Sequence, residues 1–141
     1  MANSKVALVG SESLLAREIR DLSAAGTGLD LTLVADVEDR EGALTATGEE
    51  IAIVMKLNAA SLSEARAVIL AGGEESARKA LDLLGDPPES AVIDLTYTAE
   101  DRPDARLRAP AVELGTDEDA REAAVHVIAH PAAIAMALFL R

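Results

Sequence analysis

The sequence predicts an α/β domain built on a mostly parallel, doubly wound sheet. Short unbroken apolar runs alternate with amphipathic helical segments along the chain, and strands that are apolar throughout are typical of parallel sheets covered on both faces. The 141 residues contain no internal repeat, low-complexity segment or linker, so we expect one domain over residues 1–141. Tyr97 and Phe139 are the only aromatic residues, so the core must be packed from Ala, Val, Leu and Ile.

Composition excludes several classes of partner. The formal net charge of −12 repels nucleic acid and anionic lipid, because both are bound through Lys and Arg. No apolar run approaches the roughly 20 residues of a membrane span, and Met1–Lys5 lead directly into a strand-like run without a signal peptide. The absence of cysteine excludes disulfides and thiolate metal sites. We therefore predict a cytoplasmic protein without a metal, a membrane partner or a nucleic-acid partner.

The first half of the chain is predicted to form a strand, a helix, a strand and a hairpin. Apolar runs at Lys5–Val9 and Leu31–Ala35 predict buried strands, and the spacing within Ser13–Ala25 predicts a helix between them. The apolar side of this helix carries Leu14, Leu15, Ile19 and Leu22. Its polar side carries Arg17, Glu18, Arg20 and Asp21. Alternating residues in Ala43–Leu57 predict a hairpin that turns at Thr47-Gly48-Glu49.

The second half continues the alternation of strands and helices. Gly72-Gly73 ends one strand, and Pro131 occupies the favoured first position of the last helix. The predicted strands are Ala67–Ala71, Ala91–Leu95 and Val125–Ala129. The predicted helices are Glu74–Leu84, a short segment from Thr116 or Asp117 to Ala124, and Pro131–Leu140. Between them, Thr96–Ala109 is predicted to be a polar loop.

The turn after the first strand has the arrangement of a phosphate-binding loop. A strand, a glycine turn and a helix present backbone N–H groups and a helix dipole to a pyrophosphate. The run from Gly10 to Ala16 has one glycine where the G-x-x-G-x-x-G pattern has three, and Glu12 places an anion in the turn. Two interpretations remain open: a working dinucleotide site, or a strand–helix–strand unit that only packs the sheet.

Asp36 follows the second predicted strand, at the position of a ribose-binding acid. A carboxylate there accepts hydrogen bonds from both ribose hydroxyls and repels a 2′-phosphate. If a dinucleotide binds, we therefore expect NAD rather than NADP.

Four segments resemble the nucleotide-binding domain of the aspartate-semialdehyde dehydrogenase and N-acetyl-glutamyl-phosphate reductase family. Val6–Ala16 resembles the family's V-x-x-V-G-A-T-G-x-V-G start, and Leu70–Ser76 resembles its S-A-G-G-x-x-S turn. Val92-Ile93-Asp94 and the loop to Glu113 resemble V-I-D-x-S-S-x-F-R followed by V-P-E-V-N. Ile128–Ala133 resembles I-A-N-P-N-C. The resemblance implies a Rossmann-like fold, and a cofactor site made of Gly10, Ser11, Ser13, Leu14, Asp36, Gly72 and Gly73.

The departures from the family pattern fall on its functional positions. Ala133 stands at the position of the nucleophilic cysteine, and Glu100 stands at that of the phosphate-binding arginine. Glu113 and His130 replace asparagines. The resemblance also implies that the catalytic histidine belongs to a second, dimer-forming domain, which residues 1–141 do not contain. No catalytic residue is therefore assigned.

Two functions follow from this resemblance. One is a catalytically inactive domain that binds NAD or serves assembly. The other is the NAD-binding portion of an oxidoreductase acting on aldehyde or acyl-phosphate groups, with its remaining parts elsewhere. In either case Ala132–Leu140 is apolar nearly all round, so we expect a second copy or a partner chain to cover it.

Other residues have two possible roles each. His126 and His130 are spaced as metal ligands on a helix, but they lie on a predicted strand and at its end, which favours structural histidines. His130 also lies beside a helix N-terminus, where a general base would fit. The acidic cluster Asp36, Glu38, Asp39 and Glu41 suggests a solvated loop more than a cation site. Thr96-Tyr97-Thr98 would either line a pocket or satisfy the loop's own backbone.

Overall fold

The computed structural model describes residues 4–26, 29–36, 42–47, 50–113 and 123–140. The described strands are β1 (Ser4–Val9), β2 (Leu29–Val34), β3 (Leu44–Thr47), β4 (Glu50–Ile53), β5 (Ala67–Leu70), β6 (Ala91–Asp94), β7 (Ala105–Arg108) and β8 (Val125–Ile128). The described helices are α1 (Leu14–Ala24), α2 (Ala59–Leu62), α3 (Glu74–Leu84) and α4 (Pro131–Phe139). No helix in these ranges has the length and apolar character to cross a membrane.

The described strands form a six-stranded sheet in the order β2-β1-β5-β6-β8-β7, in which every pair is parallel. Separately, β3 and β4 form the predicted antiparallel hairpin. The predicted α/β class with a mostly parallel sheet is confirmed. The elements begin and end within a few residues of their predicted bounds, because glycine and proline mark most of the boundaries.

Both faces of the central strands are covered. Successive side chains of a strand point to opposite faces, and in β1 Ala7 and Val9 pack in one apolar cluster while Leu8 packs in the other. The first cluster includes Ala77, Ala80 and Leu81 of α3. The second includes Ala16 of α1. Helices on opposite faces give the doubly wound arrangement that the sequence predicts.

The apolar side predicted for α1 packs against the sheet only in part. Ile19 packs against the second cluster, but the buried residues are Ala16 and Arg20, and Leu14 and Leu22 are largely exposed. A small side chain at position 16 lets the helix approach the sheet closely. Arg20 is buried because its guanidinium group finds hydrogen-bond acceptors on the turn before the helix and on β3.

Two elements were not expected. The predicted polar loop contains β7, which lies at the sheet edge, where its charged residues Arg106 and Arg108 are tolerated. The short helix α2 begins with a capping box in which Asn58 and Ser61 bond reciprocally. The helix predicted to begin at Thr116 or Asp117 lies outside the described residues, as do the acidic residues at positions 38, 39 and 41.

Candidate functional site

The candidate site lies at the carboxyl edge of the sheet, where the direction of strand addition reverses. From β1 the chain adds β2 on one side and later adds β5 on the other. In open α/β sheets such a reversal leaves a crevice between the loops that follow these strands. Gly10 follows β1, Asp36 lies just beyond β2, and Gly72 lies just beyond β5. Three residues singled out in the sequence thus come from three neighbouring strands.

Gly10 and Gly72 are in direct backbone contact. Gly10 has a φ of +78°, and a Cβ added to it would lie 2.1 Å from the Cα of Gly72. In the reverse direction, a Cβ on Gly72 would lie 2.9 Å from the Cα of Gly10. Real Cβ atoms do not approach backbone atoms so closely, so both positions require glycine. The two turns therefore form one tightly joined unit.

Asp36 bonds to the same unit. Its Oδ1 accepts a hydrogen bond of 3.0 Å from the backbone N–H of Gly73, the residue that precedes α3. Gly73 has no side chain to cap that helix, so the carboxylate of Asp36 acts at the positive end of the helix dipole. Each carboxylate oxygen has two lone pairs. Asp36 therefore keeps acceptor capacity for a further donor.

The turn from β1 to α1 uses some of its amides and leaves others. The amides of Gly10 and Ser11 both donate to the carbonyl of Val34 at the end of β2. Ser13 is the N-cap of α1, and its Oγ accepts from the amide of Ala16 at 3.0 Å. In the described part of the chain, the amides of Leu14 and Leu15 therefore have no partner in the first turn of the helix.

Ser11 carries a buried hydroxyl in this turn. Its side chain is fully buried, and its Oγ has no hydrogen-bond partner among the described residues. Buried polar atoms in folded proteins nearly always have a partner, which is often an ordered water or a ligand. The described residues therefore leave one buried hydroxyl of this turn without a hydrogen bond.

Glu12 is paired with cations. Its Oε1 lies 3.0 Å from Nη1 of Arg20, and its Oε2 lies 3.9 Å from Nη2 of Arg17. The negative charge that the sequence places in the turn is therefore compensated locally. Sequence analysis missed this role of Arg20, because helical periodicity places it on the polar side of α1.

A second cluster of candidate residues follows β6. Asp94 is fully buried, and its carboxylate accepts from the amide and hydroxyl of Thr96 at 2.7 Å and 2.6 Å and from the amide of Ala99 at 2.8 Å. The hydroxyl of Thr98 lies 2.7 Å from that of Thr96. Of the two roles considered for these threonines, the structure supports satisfaction of the loop's own polar groups.

Tyr97 and His130 are brought together, although the sequence gives no sign of it. Their rings stack with centroids 6.1 Å apart and planes 23° from parallel. Nδ1 of His130 accepts from the amide of Ala132 at 3.1 Å and so caps α4. A nitrogen that accepts carries no proton, so the neutral ring holds its proton on Nε2. The structure therefore gives His130 the role of a helix cap.

The residues that depart from the family pattern lie near this cluster or on the adjoining strands. Ala133 is exposed in the first turn of α4, where its amide donates to the carbonyl of His130. Glu100 and Asp101, together with Leu107 of β7, line a pocket of about 290 Å³. Glu113 forms an ion pair of 2.9 Å with Arg108. Carboxylates thus line this pocket.

His126 lies on β8 and is partly buried. Its partial burial, followed by the neighbouring positive charge of Arg108, lowers the pKa of its imidazole below the ordinary value. Among the described residues, no group of three or more His, Asp or Glu side chains is placed to hold a metal ion.

Comparison with known proteins supports the fold. No protein-family model matches the chain, and no curated protein sequence matches it. Solved structures do match. Aspartate semialdehyde dehydrogenase II from Vibrio cholerae, complexed with ASA, superposes with a TM-score of 0.76 at 19% identity over 96% of this chain. The aspartate semialdehyde dehydrogenase from Candida albicans with NADP gives 0.71 at 11% identity over 93% of this chain.

A third similar structure is a probable aspartate-semialdehyde dehydrogenase from Pseudomonas aeruginosa, with a TM-score of 0.66 and 17% identity over 89% of this chain. The alignments cover 44%, 44% and 37% of the Vibrio, Candida and Pseudomonas chains, so this chain spans less than half the length of each. At such identities the match establishes the fold and not the activity. The chain therefore has the fold of part of the aspartate-semialdehyde dehydrogenases, as the resemblance of its motifs predicts.

Proposed function

We propose that this chain binds a dinucleotide in the crevice between the ends of β1, β2 and β5. The observation that carries the proposal is the contact of Gly10 with Gly72 beside the carboxylate of Asp36. Leu14 and Leu15 in the first turn of α1 are exposed, so a ligand can approach that turn. The free amides of Leu14 and Leu15 would donate to the pyrophosphate, aided by the dipole of an 11-residue helix. Ser13 would hold that turn in place through its cap.

Asp36 would select NAD over NADP. Its remaining lone pairs would accept hydrogen bonds from the ribose hydroxyls, whereas a 2′-phosphate would bring a second anion against the carboxylate. The net charge of −12 adds to this discrimination, because it opposes the more highly charged cofactor. Gly73 would keep Asp36 in position through the hydrogen bond between them.

Calorimetric titration with NAD and with NADP tests this proposal. We expect micromolar binding of NAD and binding of NADP that is weaker by about tenfold or more, which corresponds to about 1.4 kcal/mol. Asp36→Asn is the sharpest variant, because its amide oxygen still accepts from Gly73 while the charge is removed. This variant should reduce the difference between the affinities for NAD and for NADP. If neither NAD nor NADP produces a heat of binding, the proposal is refuted.

We also propose that the chain does not carry out covalent aldehyde oxidation. In the family, a cysteine thiolate attacks the aldehyde and hydride passes to the cofactor. Ala133 has no lone pair with which to form that intermediate, and the carboxylates of Glu100 and Asp101 would repel a phosphate. A mixture of the chain with aspartate semialdehyde, phosphate and NAD should therefore produce no NADH.

The alternative is that this chain is the NAD-binding portion of an oxidoreductase acting on aldehyde or acyl-phosphate groups. The observation in its favour is that the chain spans less than half of each similar structure. NADH formation when the chain is combined with a partner polypeptide would favour this alternative. In either case, we propose that another copy or another chain covers α4, since Met136 and Phe139 are 64% and 91% exposed.

A further inference from the structure

The buried guanidinium group of Arg20 joins three segments of the chain. Its Nη1 donates to the carbonyl of Ser11 at 3.1 Å and to the carboxylate of Glu12 at 3.0 Å. Its Nη2 donates to the hydroxyl of Thr45 at 2.9 Å and to the carbonyl of Ala46 in β3. Arg20 is only 5% exposed. A charged group is buried to this extent only where partners compensate its charge.

Two of these partners belong to the turn where the pyrophosphate would bind. The carboxylate of Glu12 has 20% exposure, and its position is fixed by Arg20 rather than by solvent. Without that cation, the negative charge of the residue before the N-cap would be less compensated and would oppose a pyrophosphate at the helix terminus. Arg17 also pairs with Glu12, but it lies farther away at 3.9 Å and its side chain is 59% exposed, so solvent weakens its compensation of the charge.

We infer that Arg20 is a positioning residue of the dinucleotide site, which keeps the charge of Glu12 compensated so that this carboxylate does not oppose the pyrophosphate. This inference rests on the proposed function. It assigns to Arg20 an electrostatic role toward the ligand, in addition to its contacts with β3. A purely structural Arg20 would brace the hairpin against α1, and the charge of Glu12 would not matter to the ligand.

Removal of one charge at a time separates the two roles. Arg20→Gln should weaken NAD binding about tenfold, because it frees an anion beside the pyrophosphate. Glu12→Gln should tighten binding severalfold, since it leaves Arg20 uncompensated in the turn. The double variant Glu12→Gln/Arg20→Gln should regain most of the affinity that Arg20→Gln loses. The penalty of Arg20→Gln should also shrink as salt is added, because ions screen the exposed part of the interaction.

Lys5→Gln is the matched control. Lys5 forms an ion pair with Glu64 at the opposite end of β1, so its removal deletes one cation far from the crevice. The NAD affinity of this variant should stay within twofold of that of the unsubstituted chain, which corresponds to about 0.4 kcal/mol, because distant sites act independently. Thermal unfolding of each variant verifies that the domain is folded.

The outcomes are distinct. If the double variant binds NAD as weakly as Arg20→Gln, the role of Arg20 is structural and the inference is overturned. If Arg20→Gln does not fold, Glu12→Gln still decides, because unchanged or weaker binding of NAD by that variant contradicts the inference. If the unsubstituted chain does not bind NAD, the proposed function fails first and the inference fails with it.

Discussion

Gly10 and Gly72 are the residues on which the candidate site depends most. Both lie in turns at the carboxyl edge of the sheet, and neither has room for a methyl group. Gly10 also has a left-handed backbone conformation, which is unfavourable for any residue with a Cβ. A side chain at position 10 would therefore be unfavourable for two separate reasons, the steric clash with Gly72 and the left-handed backbone conformation.

Gly10→Ala should lower the free energy of unfolding by more than about 2 kcal/mol, since it adds a steric clash to an unfavourable φ. Gly42→Ala is the matched control. Gly42 has a φ of +76°, close to the +78° of Gly10, but a Cβ there would meet no atom of the described residues within 4 Å. Comparing the free energies of urea unfolding of the two variants isolates the contribution of the contact between Gly10 and Gly72 to stability. Equal losses of stability would mean that the turns after β1 and β5 are not in contact.

His126 makes stability depend on pH in a defined direction. Burial and Arg108 lower its folded-state pKa below the ordinary 6.5, so the unfolded chain binds the proton first as the pH falls. Stability from this residue is therefore complete above the unfolded-state pKa and is lost as the pH falls through 6.5 toward the folded-state pKa.

His126→Gln should reduce the stability difference between about pH 7.5 and about pH 5.5, measured by urea unfolding. Asp104→Asn is the control. The ion pair with Arg102 lowers the pKa of Asp104 below 3.8, so its contribution changes only in more acidic solution. A pH dependence that is unchanged in His126→Gln would show that other groups produce it.

At the scale of elements, α4 is the exception to the packing of the domain. None of its residues is buried, although Ile134, Met136, Leu138 and Phe139 make it strongly apolar. The other long helices each bury a face against the sheet. Burial of two large apolar side chains would contribute roughly 3–6 kcal/mol, which favours association.

Met136→Ser combined with Phe139→Ser should abolish self-association without loss of stability, because both side chains are exposed in the single chain. Sedimentation velocity over a range of concentrations measures this. Leu107→Ser, on an exposed position of the edge strand β7, is the control and should leave association unchanged. Concentration-independent sedimentation of the unsubstituted chain would exclude a second copy as the cover of α4.

Periodicity and turn residues predicted most elements, and physical limits explain the failures. Strands such as β5 and helices such as α3 carry their pattern in consecutive residues. The edge strand β7 does not, because Ala105–Arg108 alternates charge with apolar residues as a polar loop also does. The burial of Arg20 on α1 could not be predicted, because a buried arginine depends on acceptors that are distant in the sequence.

The candidate site was predictable in part for the same reason. Glycines in turns and an acid after a strand are local signals, and the structure brings Gly10, Gly72, Gly73 and Asp36 together. The stack of Tyr97 on His130 joins residues 33 positions apart, and no local pattern encodes it. The compensation of Glu12 by Arg20 spans two turns of helix and was hidden by helical periodicity.

At the scale of the whole molecule, the sheet brings two groups of functional residues to one edge. The crevice beside β1 offers helix amides and Asp36, whereas the edge beside β6 and β8 offers Tyr97 and His130 but no nucleophile at position 133. The proposed dinucleotide site and position 133 therefore lie at different parts of this edge. The net charge of −12 further restricts anionic ligands to places where amides or cations meet them.

The most direct test is a titration of the nitrogen-15-labelled chain with NAD, followed through its backbone amide resonances. The account predicts that the largest shifts occur at Leu14 and Leu15, with further shifts at Gly10 and Gly73, and that NADP produces them only at higher concentration. Unchanged resonances at saturating NAD, or shifts confined to residues far from the ends of β1, β2 and β5, would contradict the proposal that this crevice is a dinucleotide site.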